Sequence, residues 1–175
     1  MNAGPEPTDL VLRDALPSDA AECARIYAGY VTDSAVSFET EPPSAHEMAQ
    51  RIAASQAAHA WLVAEESGQV LGYAYATRHR ERAAYRFACD VSVYLDPASV
   101  GRGLGRRLYA VLLAQLEAAG FRMACAGIAL PNPASEALHR SLGFTDIGIY
   151  RRIGWKQGRW HDVLWLQLAL GDGPS

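Results

Sequence analysis

The stretch Gly101-Arg102-Gly103-Leu104-Gly105-Arg106-Arg107 constrains this chain more than any other. It follows the β-prone run Val91-Ser-Val-Tyr-Leu95 and a stop at Pro97. It precedes an amphipathic series, Leu104, Leu108, Val111, Leu112 and Leu116, that Gly120 closes. That order predicts a strand, a glycine-rich turn and a long helix. The first turn of a helix carries unpaired N–H groups and the positive end of the helix dipole, and glycines let a phosphate come close to both. Arg102, Arg106 and Arg107 add positive charge at the same place. A plain packing turn uses the same glycines, so the ligand must be argued from elsewhere.

Two nucleotide loops fail on the residues present. A Walker A loop ends in Gly-Lys-Ser/Thr, which is absent here. A dinucleotide fingerprint needs a third glycine where Arg106 stands, and it belongs after a first strand, not past the middle of the chain. With 175 residues, half of them apolar, the chain suits one globular domain. Its balance of 16 basic against 19 acidic residues, a net charge of −3, argues against nucleic-acid binding. No apolar run reaches the roughly 18–20 residues that cross a bilayer, and Met1–Asp9 holds no apolar segment of a signal peptide. Cys23, Cys89 and Cys125 are far apart, with no Cys-x-x-Cys and no His/Cys zinc spacing. No membrane partner and no metal are expected, and a reducing cytoplasm is.

The remaining elements follow from pattern. Leu10–Leu12 reads as a strand, and Ser18 or Asp19 caps a helix whose apolar face is Cys23, Ile26, Tyr27 and Tyr30. Ser44 and Glu47 form a capping box ahead of Met48 and Ile52. A hairpin runs over 60–66 and 70–76, and a strand over about 85–95. A doubly buried strand is read over 123–130, a helix from Pro131-Asn132-Pro133 to Gly143, and two last strands, 144–153 and 160–170, around a 154–159 turn. The result is a mixed α/β single domain over 10–170, with a flexible lead-in over 1–9 and a tail over 171–175.

Taken together, the glycine turn and the element order resemble the GNAT superfamily of acyl-CoA-dependent N-acyltransferases. Gly103 and Gly105 fit that family's Gln/Arg-x-x-Gly-x-Gly/Ala loop, with Val100 in the Gln/Arg place. Further stretches are similar to the phosphinothricin and methionine-sulfoximine acetyltransferase branch. They are Val36-Ser-Phe-Glu-Thr-Glu-Pro-Pro43, Gly72-Tyr-Ala-Tyr-Ala76 with Arg82 and Tyr85, Ser92-Val-Tyr94, Asn132-Pro-Ala-Ser-Glu-Ala-Leu-His139 with Leu142-Gly-Phe144, and Gly154–Val163.

The resemblance implies a mostly antiparallel, twisted central sheet flanked by helices, with two central strands splayed near Val93. It implies acetyl-CoA as acetyl donor, lying on Val93, Tyr94 and Leu95. The pyrophosphate would rest on Gly101, Arg102, Gly103, Leu104, Gly105 and Arg106, and Asn132 and Ser141 would border the pantetheine arm. The Val93 N–H would stabilise the oxyanion. Asp90 stands where the branch carries a glutamate base, and being one methylene shorter it would act through a water. A structural carboxylate bonded to Arg82 or Arg86 is the competing reading. His139 occupies the place of a tyrosine that protonates the leaving thiolate.

Phe38 and Glu39 would wall the acceptor pocket. Arg78, Arg80 and Arg82, with Tyr85, would bind the anionic group of an amino-acid-like acceptor. His46, His59 and His79 read as surface residues and His161 as structural. Trp155, Trp160 and Trp165 read as core or subunit packing, and the resemblance implies a homodimer. A peptide N-terminus or polyamine acceptor, or a non-catalytic acyl-CoA-binding module, are the alternatives.

Overall fold

The computed structural model describes residues 9–172. The lead-in over 1–9 and the tail over 171–175 lie outside that range except for Asp9, Gly171 and Asp172. Seven strands form one sheet in the order β1-β2-β3-β4-β5-β7-β6. They are β1 Val11–Asp14, β2 Trp61–Glu66, β3 Gln69–Arg78, β4 Ala88–Leu95, β5 Met123–Ala129, β6 Thr145–Lys156 and β7 Arg159–Ala169. Every neighbouring pair is antiparallel except β4 with β5. The expected mixed α/β sheet is present.

Helices cover both faces, which is why β2 is apolar on both. Alternation sends Trp61 and Val63 to α1 (Ala20–Thr32) and α2 (Ala45–Ala58), where they pack with Cys23, Ile26, Met48 and Ile52. Leu62 and Ala64 face α3 (Leu104–Ala118), whose Leu108, Leu112 and Leu116 are fully enclosed. The helix α4, Pro133–Ser141, adds Leu138 to that second core. The same alternation along β4 places Cys89 and Val91 in the α3 core, with Val93 and Leu95 against it. Tyr94, of opposite parity, packs beside the α1–α2 core. The two sides of β4 therefore serve different halves of the cleft described below.

Several boundaries differ from the sequence reading. The Ser44–Glu47 box caps α2 reciprocally, as expected. Asp19 does not cap α1, because Arg13 of β1 holds its carboxylate at 2.7 Å and the Leu16 N–H takes the same oxygen. The strand expected from about residue 85 begins at Ala88, since Ala83–Tyr85 winds into a 3₁₀ turn. The final hairpin turns at Gln157-Gly158, both at positive φ. Gly154, Trp155 and Lys156 stay in the ladder opposite His161, Trp160 and Arg159.

Candidate active site

The β4–β5 pairing ends early. Ala88, Cys89 and Asp90 lie opposite Met123, Ala124 and Cys125, and the strands then part. In the β3–β4 ladder the Asp96 N–H bonds the Leu71 carbonyl, and backbone groups alternate in direction along a strand. Val93 and Leu95 therefore turn their peptide groups away from β3, and the Leu95 carbonyl accepts from the Tyr30 hydroxyl at 2.7 Å. The Val93 N–H thus faces β5 beyond the last pair, where no ladder partner stands opposite.

Two adjoining cavities lie at the gap. The smaller, about 60 Å³, lies between Val93 on one side and Gly127, Asn132 and His139 on the other. The larger, about 730 Å³, opens on the α1–α2 side and is walled by Phe38, Glu39, Asp90, Tyr150 and Trp165. Val91, Ser92, Tyr94 and Gly127 border both, so the two adjoin.

The glycine turn sits at the α3 end. Gly101 and Gly103 adopt φ of +85° and +74°, and a side chain on either would meet open space. A bare left-handed turn with nothing packed on it, at the head of a 15-residue helix, fits a phosphate group. Gly105 has a different role. A Cβ there would stand 3.2 Å from Leu138, so its absence lets α3 approach α4. Arg102 forks onto Glu66 at 2.7 Å, and Arg106 reaches the Ser141 carbonyl at 3.3 Å. Leu104 is buried in the core. The Asn132 side chain accepts from the Ser135 N–H and so caps α4 while lining the smaller cavity.

His139 is almost wholly buried, and both ring nitrogens are engaged. Nδ1 lies 2.7 Å from the Ser135 carbonyl, to which it donates, and Nε2 lies 3.1 Å from the Tyr109 hydroxyl, from which it accepts. Burial lowers its pKa, so the neutral imidazole prevails. Tyr109, absent from the sequence reading, lines the smaller cavity beside it. It sits at the core-facing position after Leu108, so its hydroxyl was hidden in a plain helix stripe.

Asp90 lines the larger cavity, and burial raises its pKa from its ordinary value, against the lowering effect of its hydrogen bond to His79. Its partner is not an arginine. His79 Nδ1 stands 2.6 Å from Asp90 Oδ1, which moves His79 from the expected surface into the site. The ring also rests 5.8 Å from Tyr85 and meets the edge of Trp165. Cys125 of β5 lies close by, and the His79, Asp90 and Cys125 donor atoms are all within 4.8 Å of one another, a spacing that a metal ion can use. Residues so far apart in the chain offer no ligand spacing to a sequence search. The Cys125 thiol is pushed up to about 11 by burial.

Of the expected acceptor residues, Phe38 and Glu39 line the larger cavity. Arg51 grips Glu39 in a two-bond fork of 2.6 and 2.9 Å, and holds its carboxyl below the usual range. Arg78, Arg80 and Arg82 do not line that cavity. They border a separate hollow with His59 and Phe121, and Arg78 pairs with Glu81. Arg80 also lines a further hollow that shares Tyr150 and Trp165 with the larger cavity. Tyr85 is half exposed beside His79.

A family model described as an acetyltransferase (GNAT) domain matches residues 12–165. The chain belongs to the GNAT acetyltransferases. Among its GNAT relatives, a phosphinothricin N-acetyltransferase from Alcaligenes faecalis is 41% identical over 167 residues, 94% of this chain and 83% of that protein. A methionine sulfoximine/methionine sulfone acetyltransferase from Pseudomonas paraeruginosa is 35% identical, covering 91% of this chain and 94% of its own length. A phosphinothricin acetyltransferase from Sinorhizobium meliloti, solved in complex with AcCoA, superposes with a TM-score of 0.90 at 40% identity, over 94% of this chain and 90% of that one. The GNAT fold expected from the sequence is therefore present.

Proposed function

We propose that this protein transfers acetyl from acetyl-CoA to the amino group of a small amino-acid-like acceptor of the phosphinothricin, methionine sulfoximine or methionine sulfone type. The observation that carries this reading is the parting of β4 from β5, with a half-buried carboxylate, Asp90, at the last pair and the Val93 N–H turned into the gap. The named activities of the relatives support the acceptor class. Bound acetyl-CoA supplies an activated acetyl thioester. Backbone N–H groups over 101–106 hold its pyrophosphate, and Asn132 and Ser141 border its arm.

Asp90 takes a proton from the acceptor ammonium through a bridging water, which frees the lone pair for direct attack in a ternary complex. The Val93 N–H donates to the carbonyl oxygen as negative charge grows there, an interaction worth about 3–4 kcal/mol in comparable sites. Solvent returns a proton to the leaving sulfur, because the one N–H of neutral His139 is held by the Ser135 carbonyl and its Nε2 already accepts from the Tyr109 hydroxyl; both side chains border the smaller cavity where the thiolate departs. No thiol takes part: burial raises the pKa of all three cysteines, so each stays protonated. Arg80, with Arg78 and Arg82 behind it, faces the acceptor's anionic group from the adjoining hollow.

The exposed apolar face of the sheet edge, Ile147, Ile153, Trp155 and Trp160, is where a second copy pairs to form a homodimer. Three free cysteines suit a cytoplasmic setting.

Release of the CoA thiol, measured against phosphinothricin, methionine sulfoximine, methionine sulfone, ordinary amino acids, a peptide and spermidine, tests the reading. Saturable release with one of the first three supports it. Release with the peptide or spermidine alone favours the alternative acceptors. Acetyl-CoA binding without release by any amine leaves a binding module.

A further inference from the structure

Asp90 is shorter than the glutamate its position resembles, and it sits where burial favours the neutral acid. A base needs the opposite, an ionised carboxylate with one oxygen free. The surroundings of Asp90 resolve this. His79 Nδ1 meets Oδ1 at 2.6 Å, while Oδ2 makes no hydrogen bond to any described residue and the side chain lines the acceptor cavity. The His79 ring is itself held, between the Tyr85 ring and the edge of Trp165, and it is only 17% exposed. Other titratable or charged groups around the pair are Arg80 on the same loop, Cys89 next to Asp90 on β4, Cys125 across on β5 and the Tyr85 phenol. The positive charge of Arg80 favours ionised Asp90 as His79 does. Among the described residues, His79 is the one group hydrogen-bonded to the carboxylate.

We propose that His79 is the positioning residue for Asp90: its Nδ1–H fixes Oδ1, so that Oδ2 is presented to the water that bridges to the acceptor ammonium. The assignment rests on the reading of Asp90 as the base. In the step itself one N–H bond of the ammonium breaks as the bridging water takes that proton, and the water gives up one of its own, so that one O–H bond forms at Oδ2. The Nδ1–H bond of His79 stays intact throughout, so the imidazole orients and polarises without carrying the proton.

The test compares His79→Phe, which keeps a ring but loses the donor, with His79→Asn, which restores a side-chain N–H. The readouts are kcat, acceptor KM and the pH profile of kcat/KM, all in the presence of a chelator. In His79→Phe, kcat falls about tenfold or more, as expected for losing a hydrogen bond to a charged group. The acidic limb of the profile moves to higher pH, because burial then acts on Asp90 with one stabilising donor fewer. His79→Asn recovers most of both. A packing role would leave the limb in place, and a His79→Phe profile that superposes on the parent's overturns the assignment.

Asp90→Asn separates the two readings. If it is inactive while His79→Phe matches the parent, the base stands and the positioning role falls. If it keeps the parent's kcat, the base reading fails and takes this one with it. Loss of the parent's activity in chelator would make His79, Asp90 and Cys125 a metal site, and would also overturn the assignment. Should His79→Phe bind no acetyl-CoA or unfold, His79→Ala with and without added imidazole replaces it, and rescue by imidazole is the supporting result.

Discussion

On the α3 side of the cleft, the proposed donor site is mostly one unbroken stretch, from β4 through the glycine turn to α3, joined by Asn132 and Ser141, and most of that stretch acts through its backbone. On the α1–α2 side, the proposed acceptor cavity takes its walls from places as distant as Tyr27 and Trp165, with large side chains such as Phe38 and Tyr150 among them. A phosphate site made of N–H groups tolerates many side chains, so Val100 in a family Gln/Arg position, with Arg102 turned to Glu66, leaves the turn intact. An acceptor site made of side chains has no such latitude. Substitutions on the two sides should therefore fail in different ways.

The largest contrast is expected from Asp90→Asn. Its kcat drops by about 10²–10⁴-fold, the range for losing a general base, while acetyl-CoA affinity measured by calorimetry stays put. Its stability should move the other way. Because burial raises the folded-state pKa of Asp90, the stability this carboxyl contributes is complete below its unfolded value and is lost as pH rises through the folded one. At neutral pH the parent therefore carries a destabilising buried charge, and Asp90→Asn melts at an equal or higher temperature. The gap closes in acid. A variant that lost activity and stability together at neutral pH would point to a structural carboxylate.

Gly103→Ala sharpens the donor side. A Cβ at φ +74° meets no neighbour, so the cost is backbone strain alone, about 1–2 kcal/mol. The acetyl-CoA KM rises, Tm falls by a few degrees and acceptor KM is unchanged. Gly154→Ala does the reverse, since a Cβ there collides with the Phe38 ring that walls the acceptor cavity. Acceptor KM should rise several-fold with acetyl-CoA binding unaffected. The smallest effect belongs to Arg51→Ala. It removes a half-exposed pair with Glu39 worth about 0.2–1 kcal/mol, and acceptor KM shifts by a factor of a few at most.

The same contrast explains what was legible. Gly101–Gly105, the stripe of α3 and the Ser44–Glu47 box are local patterns, and each was read at the right residues. Phe38 and Glu39 were placed at the acceptor cavity only through resemblance, since nothing in their own neighbourhood points there. His79 was misread as a surface residue because its contact with Asp90 depends on how β3 and β4 register, with Thr77 opposite Asp90 and Arg78 opposite Cys89. A residue just past the end of one strand lies beside one near the start of the next, and a single sequence does not fix that register. The arginine cluster misled in the other direction. Charge density is visible in a sequence, but the turn after β3 points Arg78 and Arg82 into a different hollow.

The early end of the β4–β5 ladder has a mechanical meaning. Only three residue pairs join the half-sheet β1–β4 to the half-sheet β5–β7–β6, so the two halves form the arms of a pair of tongs whose pivot is at Asp90 and Cys125. The strands are joined at Asp90 and Cys125 and unpaired out at Val93 and Ala129, so the cleft is open toward the tips and closed at the pivot, where Asp90 sits with His79 beside it.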